Sequence, residues 1–103
     1  MIEKTRRIII LFDFYQNLLT KKQRSYIESY YEDDLSLSEV AEKYEVSRNA
    51  IHDNLKRVIA LLEDYEEKLK LHDKFNKKLS IIEKIRNDKQ VDIKELLDEL
   101  EEL

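Results

Sequence analysis

The apolar residues of this chain recur every three or four positions over most of its length, which is the period of one face of an α-helix. The first such repeat consists of Ile8, Leu11, Phe12, Tyr15, Leu18 and Leu19. It predicts a first helix from about Glu3 to Asn17. Ile9, Ile10 and Phe14 lie off that face, so the helix is apolar on more than one side, as in helices that are central to a fold or shared with a second subunit.

Polar residues at the right spacing predict where the next two helices begin. Thr20 is a suitable N-cap for a second helix, which the acidic run at 32–34 ends, because short acidic side chains favour turns. Ser36 and Glu39 have the spacing of a capping box. They predict a third helix over Leu37–Tyr44.

Residues 35–57 predict two short helices joined by a tight turn. Ser47 caps the second of them, and its buried side consists of Ile51, Leu55, Val58, Ile59 and Leu62. Its outward side carries Arg48, Asn49, His52, Asp53 and Lys56. Glu45 stands in the turn where Gly is common, so we expect left-handed backbone there at a cost on the order of 1 kcal/mol. This is the layout of a helix-turn-helix, whose second helix enters the major groove of DNA.

The helical pattern continues beyond the helix-turn-helix. The apolar positions run on through Tyr65 and Leu69 and resume at Phe75, but their spacing slips near His72 and Asp73, which predicts a kink or a break. Whether 48–86 forms one helix or two stays open at this point. The repeat resembles a dimer seam, and packing back on the first helix is an equal alternative.

A last short helix is predicted after Asp92, with Asp92 and Glu95 at its start. One side of it is apolar, at Ile93, Leu96, Leu97, Leu100 and Leu103. The other side of this helix is acidic. The sequence does not indicate a role for the acidic tail that follows Arg86. We therefore predict an all-α protein, with a helix-turn-helix domain over 1–62 and a C-terminal helical extension over 63–103.

Composition agrees with this prediction and narrows the function classes. The 103 residues contain no Gly, Pro or Cys, so long helices with minimal turns are expected and disulfides are excluded. The longest apolar run, 8–12, is too short to span a bilayer, and no signal peptide is recognisable. We expect a soluble, cytoplasmic protein that does not insert into membranes.

No constellation of catalytic or metal-binding residues stands out. His52 and His72 belong to different predicted helices and no Cys accompanies them, which argues against a zinc site. Without Gly there is no phosphate-cradling loop. We predict a non-enzyme with no catalytic residue, no metal and no cofactor.

The charge is distributed unevenly around a net of -4. Residues 1–24 hold six basic and two acidic side chains, whereas 25–62 hold four basic and eight acidic ones. The six form a candidate basic patch of Lys4, Arg6, Arg7, Lys21, Lys22 and Arg24. Solvated helix ends and a contact surface for an anionic partner are equally weighted explanations.

Two sets of residues carry a family resemblance. The first set resembles region 4 of bacterial sigma factors and consists of Leu19-Thr-Lys-Lys-Gln-Arg24, Leu37-Ser-Glu-Val-Ala41, Val46-Ser47, Ile51, Leu55 and Arg57. The chain more closely resembles the YlxM family of small helix-turn-helix proteins, over about residues 3–80. That resemblance rests on Leu11-Phe-Asp-Phe-Tyr15, Tyr30-Tyr-Glu-Asp-Asp-Leu-Ser-Leu37 and Val46-Ser-Arg-Asn-Ala-Ile51, among other segments.

The resemblance implies a regulatory, bacterial, cytoplasmic protein. It also implies a link to the signal recognition particle pathway, because the family's genes lie beside those of the particle's GTPase components. From the sigma-like pattern, the positions of a nucleic-acid-reading helix are Arg48, Asn49, His52, Asn54, Lys56 and Arg57. Asp53 departs from the basic character of that helix in sigma factors.

Two main hypotheses follow, and we expect a homodimer. In the first, the protein regulates targeting by binding the particle's GTPase, its receptor or its RNA. In the second, it is a sequence-specific DNA-binding transcriptional regulator. A purely structural dimer with no nucleic-acid role is a third interpretation, which differs little from the first in sequence. Residues 35–62 hold four basic and four acidic side chains, which predicts weak non-specific DNA binding and favours the first hypothesis.

Overall fold

The structure is a computed structural model that describes residues 2–87 and 92–103, with side chains from residue 5 onward. The described residues form six α-helices and no strand, which confirms the predicted all-α class. The helices are α1 (Ile2–Tyr15), α2 (Lys21–Ile27), α3 (Leu37–Tyr44), α4 (Arg48–Leu69), α5 (Leu71–Asn87) and α6 (Ile93–Glu101). They divide into two compact units, residues 1–69 and residues 70–103.

The first unit packs α1, α2 and α3 against the long helix α4. Its core is one cluster of buried apolar side chains, namely Leu11, Phe12, Tyr15, Leu19, Tyr26, Ile27, Val40, Ala41, Ile51, Leu55, Val58 and Leu62. Of the inward positions predicted for α4, this cluster contains Ile51, Leu55, Val58 and Leu62, whereas Ile59 is half-buried. Because one side of α4 packs into this cluster, the polar residues in the first turns of α4 lie on the opposite, outer side of the helix.

Side-chain caps define the helix starts, as the sequence predicts. The Ser36 hydroxyl accepts a hydrogen bond from the Glu39 N–H, and the Glu39 carboxylate accepts one from the Ser36 N–H, both at 3.0 Å. Thr20 forms the same reciprocal pair with Gln23, and Ser47 accepts from the N–H three residues on. Such a cap is typically worth about 1 kcal/mol.

The turn of the helix-turn-helix is left-handed at a residue that is not glycine. Glu45 has φ 55° and ψ 45°, which confirms the expectation for this position. The turn is closed by the Val46 N–H, which donates to the Ala41 carbonyl at 3.0 Å. Ala41 is buried where α3 meets α4.

Because a side chain is disfavoured in the left-handed region, Glu45→Gly is expected to raise the free energy of unfolding by up to about 1 kcal/mol. The control is Glu42→Gly, on the exposed side of α3, which should lower it by about 1 kcal/mol. Urea unfolding followed by circular dichroism measures both. Destabilisation by both variants would contradict the backbone explanation.

The second helical segment ends at the acidic run, as the sequence predicts, but its last turn is not a regular α-helix. The α-helix is regular only to Ile27 and continues as a π-helical turn over Glu28–Glu32. In this wider turn, the Asp33 N–H donates to the Glu28 carbonyl at 2.9 Å, and Ser29 is buried with its hydroxyl 3.0 Å from that of Tyr44. Periodicity cannot distinguish this turn from a regular α-helix, because it adds only one residue to one turn.

The segment 48–86 forms two helices, α4 and α5, rather than one. The break between them lies just before the expected position. Lys70 separates α4 from α5 with φ 56°, whereas the sequence pattern slips at His72 and Asp73. The chain has no Gly to take the left-handed position, so a lysine occupies it.

The second unit contains α5 and α6, which pack on one another. Ile81 of α5 and Leu96 of α6 are its buried apolar side chains. The Asp92 carboxylate caps α6 by accepting a hydrogen bond from the Glu95 N–H at 3.1 Å, as predicted. Within residues 2–87 and 92–103, no helix is both long and apolar enough to cross a membrane.

Candidate functional site

The outer side of the first turns of α4 carries the six residues predicted to read nucleic acid. Arg48, Asn49, His52, Lys56 and Arg57 are exposed, whereas Asn54 is half-buried. Their positions follow from the burial of Ile51, Leu55 and Val58 in the core. The residues are therefore presented as in a helix-turn-helix, and their role in binding remains a prediction.

A cleft of about 330 Å³ lies between α2 and α4. It is lined by Lys22, Tyr26, Val46, Ala50, Asp53, Asn54 and Arg57. The cleft joins the two predicted sets of residues, because Lys22 belongs to the basic patch and Asn54 and Arg57 belong to the reading helix. We call this surface the α2–α4 cleft.

The polar groups of the α2–α4 cleft suit an anionic or hydrogen-bonding ligand group. Lys22 and Arg57 are cationic donors, and Asp53 is the carboxylate among the lining residues. The Lys22 Nζ lies 5.8 Å from the centre of the Tyr26 ring. The Asn54 Oδ1 atom is buried and accepts no hydrogen bond within the described part of the chain. A buried acceptor without a donor is costly, so a bound group that donates to it would be stabilised.

His52 lies beside Asp53, one of the residues that line the cleft. The His52 Nδ1 atom is 3.6 Å from the Asp53 Oδ1 atom, and both side chains are mostly exposed.

The residues of the predicted basic patch differ in their surroundings, and the role of the patch as a contact surface remains a prediction. Arg7 of α1 donates from Nε and Nη2 to the two carboxylate oxygens of Glu63 in α4, at 2.7 and 2.8 Å. Arg24 is half-buried, and its Nε atom is buried without a hydrogen-bond partner in the described residues. Arg6, Lys21 and Lys22 are exposed, and the side chain of Lys4 lies outside the described residues. Lys22 is the patch residue that lines the α2–α4 cleft.

The Arg7–Glu63 pair makes stability pH-dependent. The hydrogen bonds from Arg7 lower the pKa of Glu63, and the positive charge of Arg7 adds to this effect, although desolvation opposes it. A carboxyl whose pKa is lowered on folding stabilises the fold above its unfolded pKa of about 4.3, and this contribution is lost as the pH falls through the folded pKa.

Arg7→Met is expected to lower the free energy of unfolding by about 0.5 kcal/mol at neutral pH, because both side chains are more than 40% exposed and solvent screens the pair. The loss should vanish once the pH lies below the pKa of Glu63 in the folded protein. Denaturant unfolding at several pH values measures it, with the neighbouring Arg6→Met as the control. An Arg7→Met loss that does not change with pH would rule out the ion pair as its cause.

Carboxylates dominate the surface around the end of α2 and along α3. Burial raises the pKa of Glu32, and the nearby charges of Glu28, Asp13 and Asp33 raise it further. Glu42 and Glu45 are exposed on and just after α3. In helix-turn-helix complexes the first of the two helices crosses the DNA backbone, so these two carboxylates would approach phosphates.

The described residues contain no group of three or more His, Asp or Glu side chains placed to hold a metal ion. His52 lies on α4 and His72 on α5. The His72 Nε2 atom is 3.1 Å from the Asn76 Nδ2 atom, one helical turn away.

Fold and site together define the class: this is an all-α helix-turn-helix protein. A family model described as "Putative helix-turn-helix protein, YlxM / p13 like" matches residues 2–103. The chain belongs to this family, UPF0122. It is 52% identical over 105 residues to the UPF0122 protein of Halalkalibacterium halodurans, covering 100% of this chain and 96% of the relative.

Other relatives support the same assignment. The UPF0122 protein of Bacillus licheniformis is 54% identical over 104 residues, which cover 99% of this chain and 97% of the relative. That of Bacillus cereus is 57% identical over 86 residues, or 84% of this chain and 78% of the relative. These matches confirm the resemblance to the YlxM family.

Proposed function

We propose that this protein is a non-enzymatic regulator that acts in the signal recognition particle pathway by binding the particle's GTPase, its receptor or its RNA. Membership of the YlxM family supports the pathway, because the resemblance implies that link. The observation that supports a binding role is the α2–α4 cleft, where Lys22 and Arg57 come together from separate helices.

Among these components, the charges favour the RNA. Phosphate contacts made by Lys and Arg provide most of the affinity for nucleic acids. Lys22 and Arg57 line the cleft, and the exposed Lys21 and Lys56 are their sequence neighbours. RNA is also recognised by its shape and through unpaired bases, which need no helix in a major groove. The carboxylates of α3 therefore oppose RNA binding less than they oppose helix-turn-helix docking on DNA.

Fluorescence anisotropy with labelled nucleic acids tests this proposal. The particle's RNA should bind in a salt-sensitive manner and more tightly than a DNA duplex of equal length. Titrations with the purified GTPase and its receptor test the protein components in parallel. Absence of binding to the RNA, the GTPase and the receptor would refute the proposal.

A sequence-specific DNA-binding regulator is the second candidate, because Arg48 and Asn49 are exposed in the first turn of α4. Arg can bind guanine and Asn can bind adenine in bidentate geometry. If the protein has this function, Arg48→Ala combined with Lys56→Ala should weaken a DNA complex by several kcal/mol. Each lost base contact costs about 1–3 kcal/mol. If partner binding is unchanged in this variant, the outer side of α4 does not read bases.

A further inference from the structure

The second unit leaves a row of apolar side chains exposed. Leu79, Ile82 and Ile85 lie on α5 at helical spacing, and Ile93 and Leu97 lie on α6 four residues apart. Each is exposed by 38% to 58% of its surface. We call these five residues the apolar stripe.

The second unit lacks the usual means of stabilising so small a structure. It spans residues 70–103, and units of fewer than about 40 residues generally need disulfides, a metal or association. The chain has no Cys, and the described residues contain no metal-binding cluster. Among its described residues, Ile81 and Leu96 are the buried apolar side chains, which form a very small core. Association is another such means, and the exposed apolar stripe offers a surface for it.

The charges of the two helices indicate what covers the stripe. Helix α5 carries five basic and two acidic side chains, whereas α6 carries one basic and four acidic side chains. A second copy of the chain presents the same two helices. When α5 of one copy meets α6 of the other, a twofold axis produces two identical contacts, each between a basic and an acidic helix.

We propose that the chain forms a twofold homodimer in which Leu79, Ile82 and Ile85 of each copy dock on Ile93 and Leu97 of the other. The two hairpins then form a four-helix bundle with the apolar stripes in its interior. This inference does not depend on the proposed function, because it concerns the second unit and a second copy of the chain.

Cysteine cross-linking in the full-length chain tests the pairing directly, because the chain has no Cys of its own. An Ile82→Cys chain mixed with a Leu97→Cys chain should form a disulfide-linked heterodimer under mild oxidation. The matched controls are Lys84→Cys and Glu95→Cys. Each lies two residues away, about 200° around its helix, and should cross-link far less. Equal cross-linking of the controls would overturn the proposed interface.

Mass measurement by light scattering tests the stoichiometry. The wild-type chain should elute at twice its mass of 12.5 kDa, and Ile82→Lys or Leu97→Lys should shift it to the monomer with unchanged helical circular dichroism. If both variants unfold, the cross-linking pattern decides between the outcomes. A wild-type monomer at micromolar concentration would overturn the proposal, as would preferential linking of two Ile82→Cys chains.

Discussion

The double variant Lys22→Glu/Arg57→Glu is expected to bind the signal recognition particle RNA about 100-fold more weakly than the wild-type protein, since each lost contact costs on the order of 1.4 kcal/mol. The reason is that both side chains line the α2–α4 cleft, where they would neutralise phosphates. The plot of log affinity against log salt should become less steep by about two units. Fluorescence anisotropy over a range of salt concentrations measures both quantities.

The matched control for this variant is Lys68→Glu/Lys84→Glu, which changes the net charge equally but at exposed positions outside the cleft. The Lys68 Nζ is 2.9 Å from the Asp64 Oδ2 at an i,i+4 spacing, and such exposed pairs contribute little to stability. The control should retain most of the RNA affinity. Equal weakening by both variants would attribute binding to net charge and would contradict a role for the cleft.

The largest loss of stability is expected at Tyr15. Its side chain is fully buried, its hydroxyl donates to the Glu66 Oε1 at 2.5 Å, and its ring centre lies 5.8 Å from that of Tyr65. Tyr15→Ala should lower the free energy of unfolding by about 4 kcal/mol, in the range of buried aromatic truncations. Tyr15→Phe should lower it by about 1.5–3 kcal/mol, because it removes a hydrogen bond to a charged group.

Tyr65→Phe provides the control for the hydroxyl. The Tyr65 hydroxyl reaches the Leu18 carbonyl only at 3.5 Å and at an exposed position, so its removal should cost less than about 0.5 kcal/mol. Urea unfolding of all three variants tests the assignment. If Tyr15→Phe is as stable as Tyr65→Phe, the hydrogen bond from Tyr15 to Glu66 does not contribute to the free energy of unfolding, which would contradict the prediction.

The local features of the fold could be predicted from the sequence because each depends on residues a few positions apart. The pair Ser36 and Glu39 predicts the start of α3, and Ser47 predicts the start of α4, because capping acts within one turn. Glu45 takes the left-handed position expected of it. The helix-turn-helix is therefore predictable from the spacing of the capping and turn residues in the sequence.

The features that were missed depend on contacts between distant segments or on the choice between similar backbones. Lys22 and Tyr26 share a face of α2, and Asn54 and Arg57 share a face of α4, but periodicity does not say that these faces meet. The bonding of Arg7 to Glu63 likewise joins residues far apart in the chain. The sequence therefore did not indicate that Arg7 bonds to Glu63 or that Lys22 lines a cleft with Arg57.

The helix-turn-helix fold does not by itself identify the ligand, because one fold can serve several functions. Here Asp53 is exposed on the outer side of α4, and Glu42 and Glu45 are exposed on and just after α3, the helix that crosses the DNA backbone in helix-turn-helix complexes. Lys22 and Arg57 instead provide positive charge between α2 and α4. This distribution is our reason for preferring a component of the signal recognition particle to a DNA operator.

The most direct test is an affinity pull-down of the tagged protein from a bacterial lysate, performed with and without nuclease. We predict recovery of the signal recognition particle RNA together with its GTPase, and loss of that GTPase after nuclease treatment. Nuclease-resistant recovery of the GTPase or its receptor would retain the pathway and contradict the RNA contact. Recovery of one discrete set of DNA fragments, with neither the RNA nor the GTPase, would contradict the proposed function and favour Arg48 and Asn49 as base readers.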